Sequence, residues 1–150
     1  TMQEITPQAH DLLERTNRQF NECNALYHTV AQRCGLSDAA FWLLYALCTA
    51  DEPLTQNRIA ADWALPKQTL NSAVAAMVKK GLVELFPGKG AHSGKLVTLT
   101  DEGRALAART VEPVIAAEQQ AIVGMEAEMQ QFYEIGQRHM ERLRAELGKL

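Results

Sequence analysis

Between Leu54 and Leu99 the apolar residues change their period, and few folds accommodate that order. Leu54, Ile59, Leu65, Leu70, Val74 and Met77 suit two short helices packed on each other. Ala60 is small, as a close helix crossing requires. Thr55 is placed to cap the first helix, expected over 56–63. Pro66 stands near the first position of the second, expected over 66–80 and closed by Gly81. The period then drops to two. In LVELF (82–86) Val83 and Leu85 alternate with Glu84, and in LVTLT (96–100) Val97 and Leu99 share a face. The PGKGAHSGK between them (87–95) holds three of the nine glycines, so the two runs read as a β-hairpin around a flexible loop. A helix-turn-helix followed by a β-wing is the expected centre of the fold.

Long helices are expected on either side. Over 7–33, Leu13, Phe20, Cys23, Tyr27 and Val30 fall on one face. Gly35 ends that helix and Ser37 caps the next. Residues 38–50 are apolar almost all round, which predicts a central, buried helix stopped by Asp51-Glu52-Pro53. Thr100 is placed to cap a helix running to about Val123, with Asp101 and Glu102 in its first turn and a kink expected at Pro113. After Gly124, Met129, Tyr133, Gly136, Met140, Leu143, Leu147 and Leu150 repeat at four and three, the seam of helix-on-helix packing, over a final helix at 126–148. The fold class is therefore mainly α with a small β-hairpin wing. A winged helix-turn-helix lobe over 37–100 is flanked by helical dimerisation regions at 5–34 and 101–150 within a single unit.

The formal net charge of −3 conceals an uneven distribution. Residues 1–53 carry three basic and seven acidic side chains, and residues 101–150 carry six and nine. Residues 54–100 carry six basic and two acidic, a local +4. A positive centre between negative ends suits a DNA-reading module on an acidic scaffold. No apolar run approaches the ~20 residues of a membrane span, so a cytoplasmic protein with no membrane partner is expected.

The second short helix presents Lys67, Gln68, Asn71 and Ser72 away from its apolar face, with Thr69 near its start. Lys reads guanine, while Gln and Asn read adenine at base edges. A helix N-terminus also favours phosphate. Thr55 and Gln56, opening the first helix, are candidates for a phosphate contact, as are Asn57 and Arg58. Lys79 and Lys80 read as solvated residues that complement the helix dipole.

LTQNRIAADWALPKQTLNSAVAAMVKKGLVELFPG and KLVTLTDEGRAL together resemble the winged helix-turn-helix of the MarR family, in motif detail over residues 54–106. The resemblance implies a homodimer built from the N- and C-terminal helices, two DNA-reading lobes and a pseudo-palindromic double-stranded operator. It also implies a repressor, released by a small apolar or phenolic effector or, in some members, by thiol oxidation. Two departures stand out. The wing tip offers Lys89, His92 and Lys95 where the family usually carries Asp-Arg, and Pro66 stands where the family often has Ser or Thr.

Phe20, Tyr27, His28, Phe41, Trp42 and Tyr45 are the candidates for an apolar ligand pocket between the scaffold helices and the lobe, against the plainer reading of ordinary core. The three cysteines form no CxxC pair. They read as small apolar residues, with Cys23 as the candidate if a sensor thiol exists. The four scattered histidines build no metal spacing, and no cofactor, nucleophile or phosphate-loop motif points to an enzyme. The competing function is a winged-helix protein-interaction module without DNA binding.

Overall fold

The computed structural model describes residues 6–88 and 94–150. Its elements are α1 (Pro7–Arg33), α2 (Asp38–Thr49), β1 (Leu54–Thr55), α3 (Gln56–Asp62), α4 (Lys67–Lys79), β2 (Val83–Phe86), β3 (Leu96–Leu99), α5 (Asp101–Ile122) and α6 (Glu126–Leu147). The chain divides into two compact units between Glu112 and Pro113.

In the first unit α2 is the hub, packed against both α1 and α4. Its apolar run leaves Phe41, Leu43 and Leu44 fully buried, joined by Ala31 from α1 and Ile59, Leu70, Val74, Val83, Val97 and Val111. Each large side chain so buried stabilises the fold by roughly 1.5–3 kcal/mol. Ser37 caps α2 by accepting from the Ala40 N–H at 3.1 Å. The helix stops at Thr49, one residue early, because Ala50 is already extended (ψ 135°) ahead of Asp51-Glu52-Pro53.

The sheet has three strands, not two, in the order β1-β3-β2 and antiparallel throughout. Leu54 and Leu85 both stand opposite Val97, and Val83 opposite Leu99, which turns Val83 and Val97 into the core. β1 is only two residues long, too short to show a period in the sequence.

The end of α4 and the start of α5 are fastened together. Gly81 adopts φ +74°, a left-handed conformation suited to glycine, and the Leu82 N–H returns to the Met77 carbonyl at 2.9 Å. The Thr100 hydroxyl donates to the Gly81 carbonyl at 2.6 Å and accepts from the Gly103 N–H at 3.0 Å, so it caps α5. The Thr100 N–H in turn donates to the Leu82 carbonyl at 3.1 Å.

α5 runs through Pro113, which has no N–H to offer the Arg109 carbonyl, and the division between units falls there. In the second unit Gly124 (φ +85°) separates α5 from α6. α6 buries none of its residues, and Phe132, Tyr133, Ile135, Met140, Leu143 and Leu147 are all exposed. No helix among the described residues is long and apolar enough to cross a membrane.

Candidate nucleic-acid interface

α4 is buried on one side only. Leu70, Ala73, Val74 and Met77 face the core, while Lys67, Gln68, Thr69, Asn71 and Ser72 are exposed. At 100° per residue, Gln68, Ser72 and Ala75 stand opposite the buried stripe, with Asn71 and Thr69 on the two flanks. α4 begins at Lys67 and not at Pro66, whose ψ of 132° puts it outside the helix as an N-cap that makes no side-chain bond. The first N–H groups of α4 therefore have no side-chain cap. The tight α3–α4 turn holds Ala64 at φ +49°, the single non-glycine residue with positive φ among the described residues.

Thr55, Gln56, Arg58 and Lys95 also lie in the chain's first unit. Thr55 caps α3, its hydroxyl accepting from the Arg58 N–H at 3.1 Å, and the half-buried Gln56 opens that helix. Arg58 pairs within its own helix. Its Nε donates to Asp62 at 2.7 Å, and that bond with the nearby carboxylate pushes the guanidinium pKa further up. Lys95 is exposed just before β3, and a side chain at Gly94 would come within 3.9 Å of Asn57 Nδ2, which sets the wing base beside α3. Lys89 and His92 lie outside the described residues.

An open groove of about 620 Å³ runs beside α4. Gln68, Thr69 and Ser72 form one wall, and Ser37 and Asp38 at the start of α2 stand on the other. Asp38 accepts from His28 Nδ1 at 2.9 and 3.0 Å, which ties α1 to α2. Both side chains are more than half exposed, so the pair contributes at most about 1 kcal/mol.

Of the residues expected to line a ligand pocket, four come together. Tyr27 and Trp42 have ring centroids 4.9 Å apart, and Phe41 and Tyr45 lie 5.1 and 5.3 Å from Trp42. Trp63, from the end of α3, completes the cluster, stacked on Trp42 at 5.7 Å and edge-on to Tyr45 at 5.2 Å. Sequence reading missed Trp63 because it sits inside the helix-turn-helix motif, although an aromatic three residues before Pro66 is itself a signal. Phe20 stands apart, 64% exposed and without a ring contact among the described residues. His28 is at the surface with Asp38. Among the described residues no group of His, Cys, Asp and Glu could hold a metal ion. Cys48 is half-buried, and burial first and the Glu112 charge second push its thiol pKa up.

Helices α2 to α4, the three-stranded sheet and the β2–β3 wing define a winged helix-turn-helix protein. Residues 35–90 match the model of the MarR family. The chain is similar in structure to a MarR family regulator from Neisseria meningitidis, with 24% identity, 88% of this chain and 97% of that one covered, and a TM-score of 0.66. It is similar to MarR of Staphylococcus aureus, solved in complex with salicylate and kanamycin, at 14% identity, 94% and 96% coverage and a TM-score of 0.66. It is also similar to CouR of Rhodococcus jostii, bound to p-coumaroyl-CoA, at 22% identity, 90% and 93% coverage and a TM-score of 0.65. At these identities the likeness establishes the fold. Comparison with curated protein sequences gives no match.

Proposed function

We propose that this chain is a cytoplasmic transcriptional regulator that binds a specific double-stranded operator as a homodimer. One observation carries the reading: α4 commits one side to the core and leaves Lys67, Gln68, Thr69, Asn71 and Ser72 exposed on the other. A helix so placed suits the major groove, with Thr55, Gln56 and Lys95, and Lys89 and His92 of the wing, at flanking phosphates. Pairing of two copies through the exposed apolar faces of α1 and α6 supplies the second lobe. Half-sites about 34–36 Å apart and a pseudo-palindromic operator follow from two-fold symmetry. The regulator is a repressor, and a small apolar or phenolic effector relieves it. Support for an effector comes from the cluster of Tyr27, Phe41, Trp42, Tyr45 and Trp63, and from relatives solved with salicylate and with p-coumaroyl-CoA.

The test is a mobility shift of the chain's own upstream DNA across a salt series. Specific binding at low micromolar protein that weakens steeply with salt supports the proposal. No salt-sensitive shift refutes it. Quenching of tryptophan fluorescence by salicylate, with release of the DNA, tests the effector. One feature favours a protein-interaction module instead: loop 87–95 contains no arginine. That reading predicts that Lys67→Glu leaves cellular function intact. A thiol switch at Cys48 is disfavoured by its raised pKa, and of the three cysteines Cys23 is the exposed one and so the candidate.

A further inference from the structure

The outward face of α4 is rich in amides and poor in arginine, and this constrains what it reads. Gln68 and Asn71 are exposed and make no side-chain hydrogen bond among the described residues. Each carries a donor and an acceptor side by side, the pattern that matches N6 and N7 of adenine in the major groove. They are three positions apart, about 4.5 Å along the helix axis and about 60° around it. That rise is close to the ~3.4 Å base step, so they address neighbouring base pairs.

Guanine is usually read by arginine or lysine. Residues 54–100 contain one arginine, Arg58, and its Nε is already bonded to Asp62 on the same helix. α4 has lysine only at its ends, Lys67 and Lys79, followed by Lys80. Between Lys67 and Lys79 the exposed residues are Gln68, Thr69, Asn71, Ser72, Ala75, Ala76 and Val78, none of them charged. Ala75 and Ala76, beyond the two amides, offer methyl groups of the kind that pack on the thymine C5-methyl.

We infer that α4 reads an A·T-biased half-site, in which Gln68 and Asn71 each contact an adenine in neighbouring base pairs. The inference rests on the DNA-binding reading above and adds to it the chemistry of the bases recognised. Lys67, at the start of the helix, supplies a phosphate contact at the edge of the half-site.

Selection of duplexes from a random pool by the full chain tests this. The expected product is a repeated half-site with adenine at two neighbouring positions. Gln68→Ala and Asn71→Ala should each relax one of those positions, lowering its adenine preference by about 5- to 150-fold. Gln68→Lys should move its position from adenine to guanine, and because residue 68 is exposed the variant keeps the fold. Enriched half-sites dominated by G·C, or an adenine preference that survives all three substitutions, overturn the inference and leave DNA binding standing. A pool from which no sequence is enriched, together with no salt-sensitive binding of any duplex, overturns the DNA-binding reading and the inference with it.

Discussion

Replacing Gly103 by alanine sets two physical effects against each other. Gly103 lies in the first turn of α5, at a backbone conformation open to any residue. Helix propensity alone predicts that alanine stabilises by about 1 kcal/mol. The packing predicts the reverse. A Cβ at 103 would stand 1.9 Å from the Leu82 carbonyl oxygen and 3.2 Å from Leu99 Cδ2. Real Cβ atoms essentially never come closer than 3.0 Å, so α5 and the end of α4 must part by at least 1.1 Å. The obstacle is backbone and cannot swing away. Parting by that distance breaks the bonds from the Thr100 N–H to Leu82 (3.1 Å) and from the Thr100 hydroxyl to Gly81 (2.6 Å). Two such bonds contribute roughly 0.5–1.5 kcal/mol each, and overpacking costs about 1–3 kcal/mol. After the propensity gain, the net loss is about 3 kcal/mol. For a chain of this size that is a fall in Tm of roughly 6–12 °C. Thermal denaturation followed by circular dichroism measures it directly. An unchanged or higher Tm refutes the argument, because it means that propensity outweighs this close approach.

Ala64→Gly should act in the opposite direction. Ala64 is exposed at φ +49°, so relief of ~1–2 kcal/mol of left-handed strain outweighs the added chain entropy, and Tm rises by a few degrees. Lys67→Ala should weaken binding to all duplexes alike and flatten the log–log salt slope by about one per chain, as titrations at several salt concentrations will show. Leu143→Glu places a charge in the exposed α6 stripe, and sedimentation should find a monomer whose circular dichroism shows less helix, the first unit staying folded. Cys48, raised in pKa by burial, should be alkylated by iodoacetamide more slowly at pH 7 than the exposed Cys23, and should speed up as pH rises, read by mass spectrometry of the peptides.

The winged lobe was legible because its signals are local. Thr55, Ser37 and Thr100 announce three helix starts, and each hydroxyl accepts the expected N–H. The alternation of Val83 and Val97 with polar neighbours marks the two wing strands, and both valines are buried. What stayed hidden depends on contacts between distant segments. β1 is a strand only because Leu54 and Thr55 meet Val97 and Leu96. Trp63 joins the aromatic cluster because the α3–α4 turn returns it to Trp42, and Phe20 stays out although its spacing matches that of Tyr27. The α4 residues expected at DNA are exposed on one face, and the Arg58–Asp62 pair follows the four-residue spacing of a helix face.

A helix of 22 residues that buries nothing within its own chain carries a thermodynamic debt. Helices of that length are only marginally stable in water without packing. Where the covering surface is a second copy, folding of α6 and association are one equilibrium, and the melting temperature depends on protein concentration. Dilution then acts as a denaturant. At scarce copy number such a regulator has fewer paired lobes, and also less folded chain, so the dose response of its promoter is steeper than the DNA contacts alone would make it.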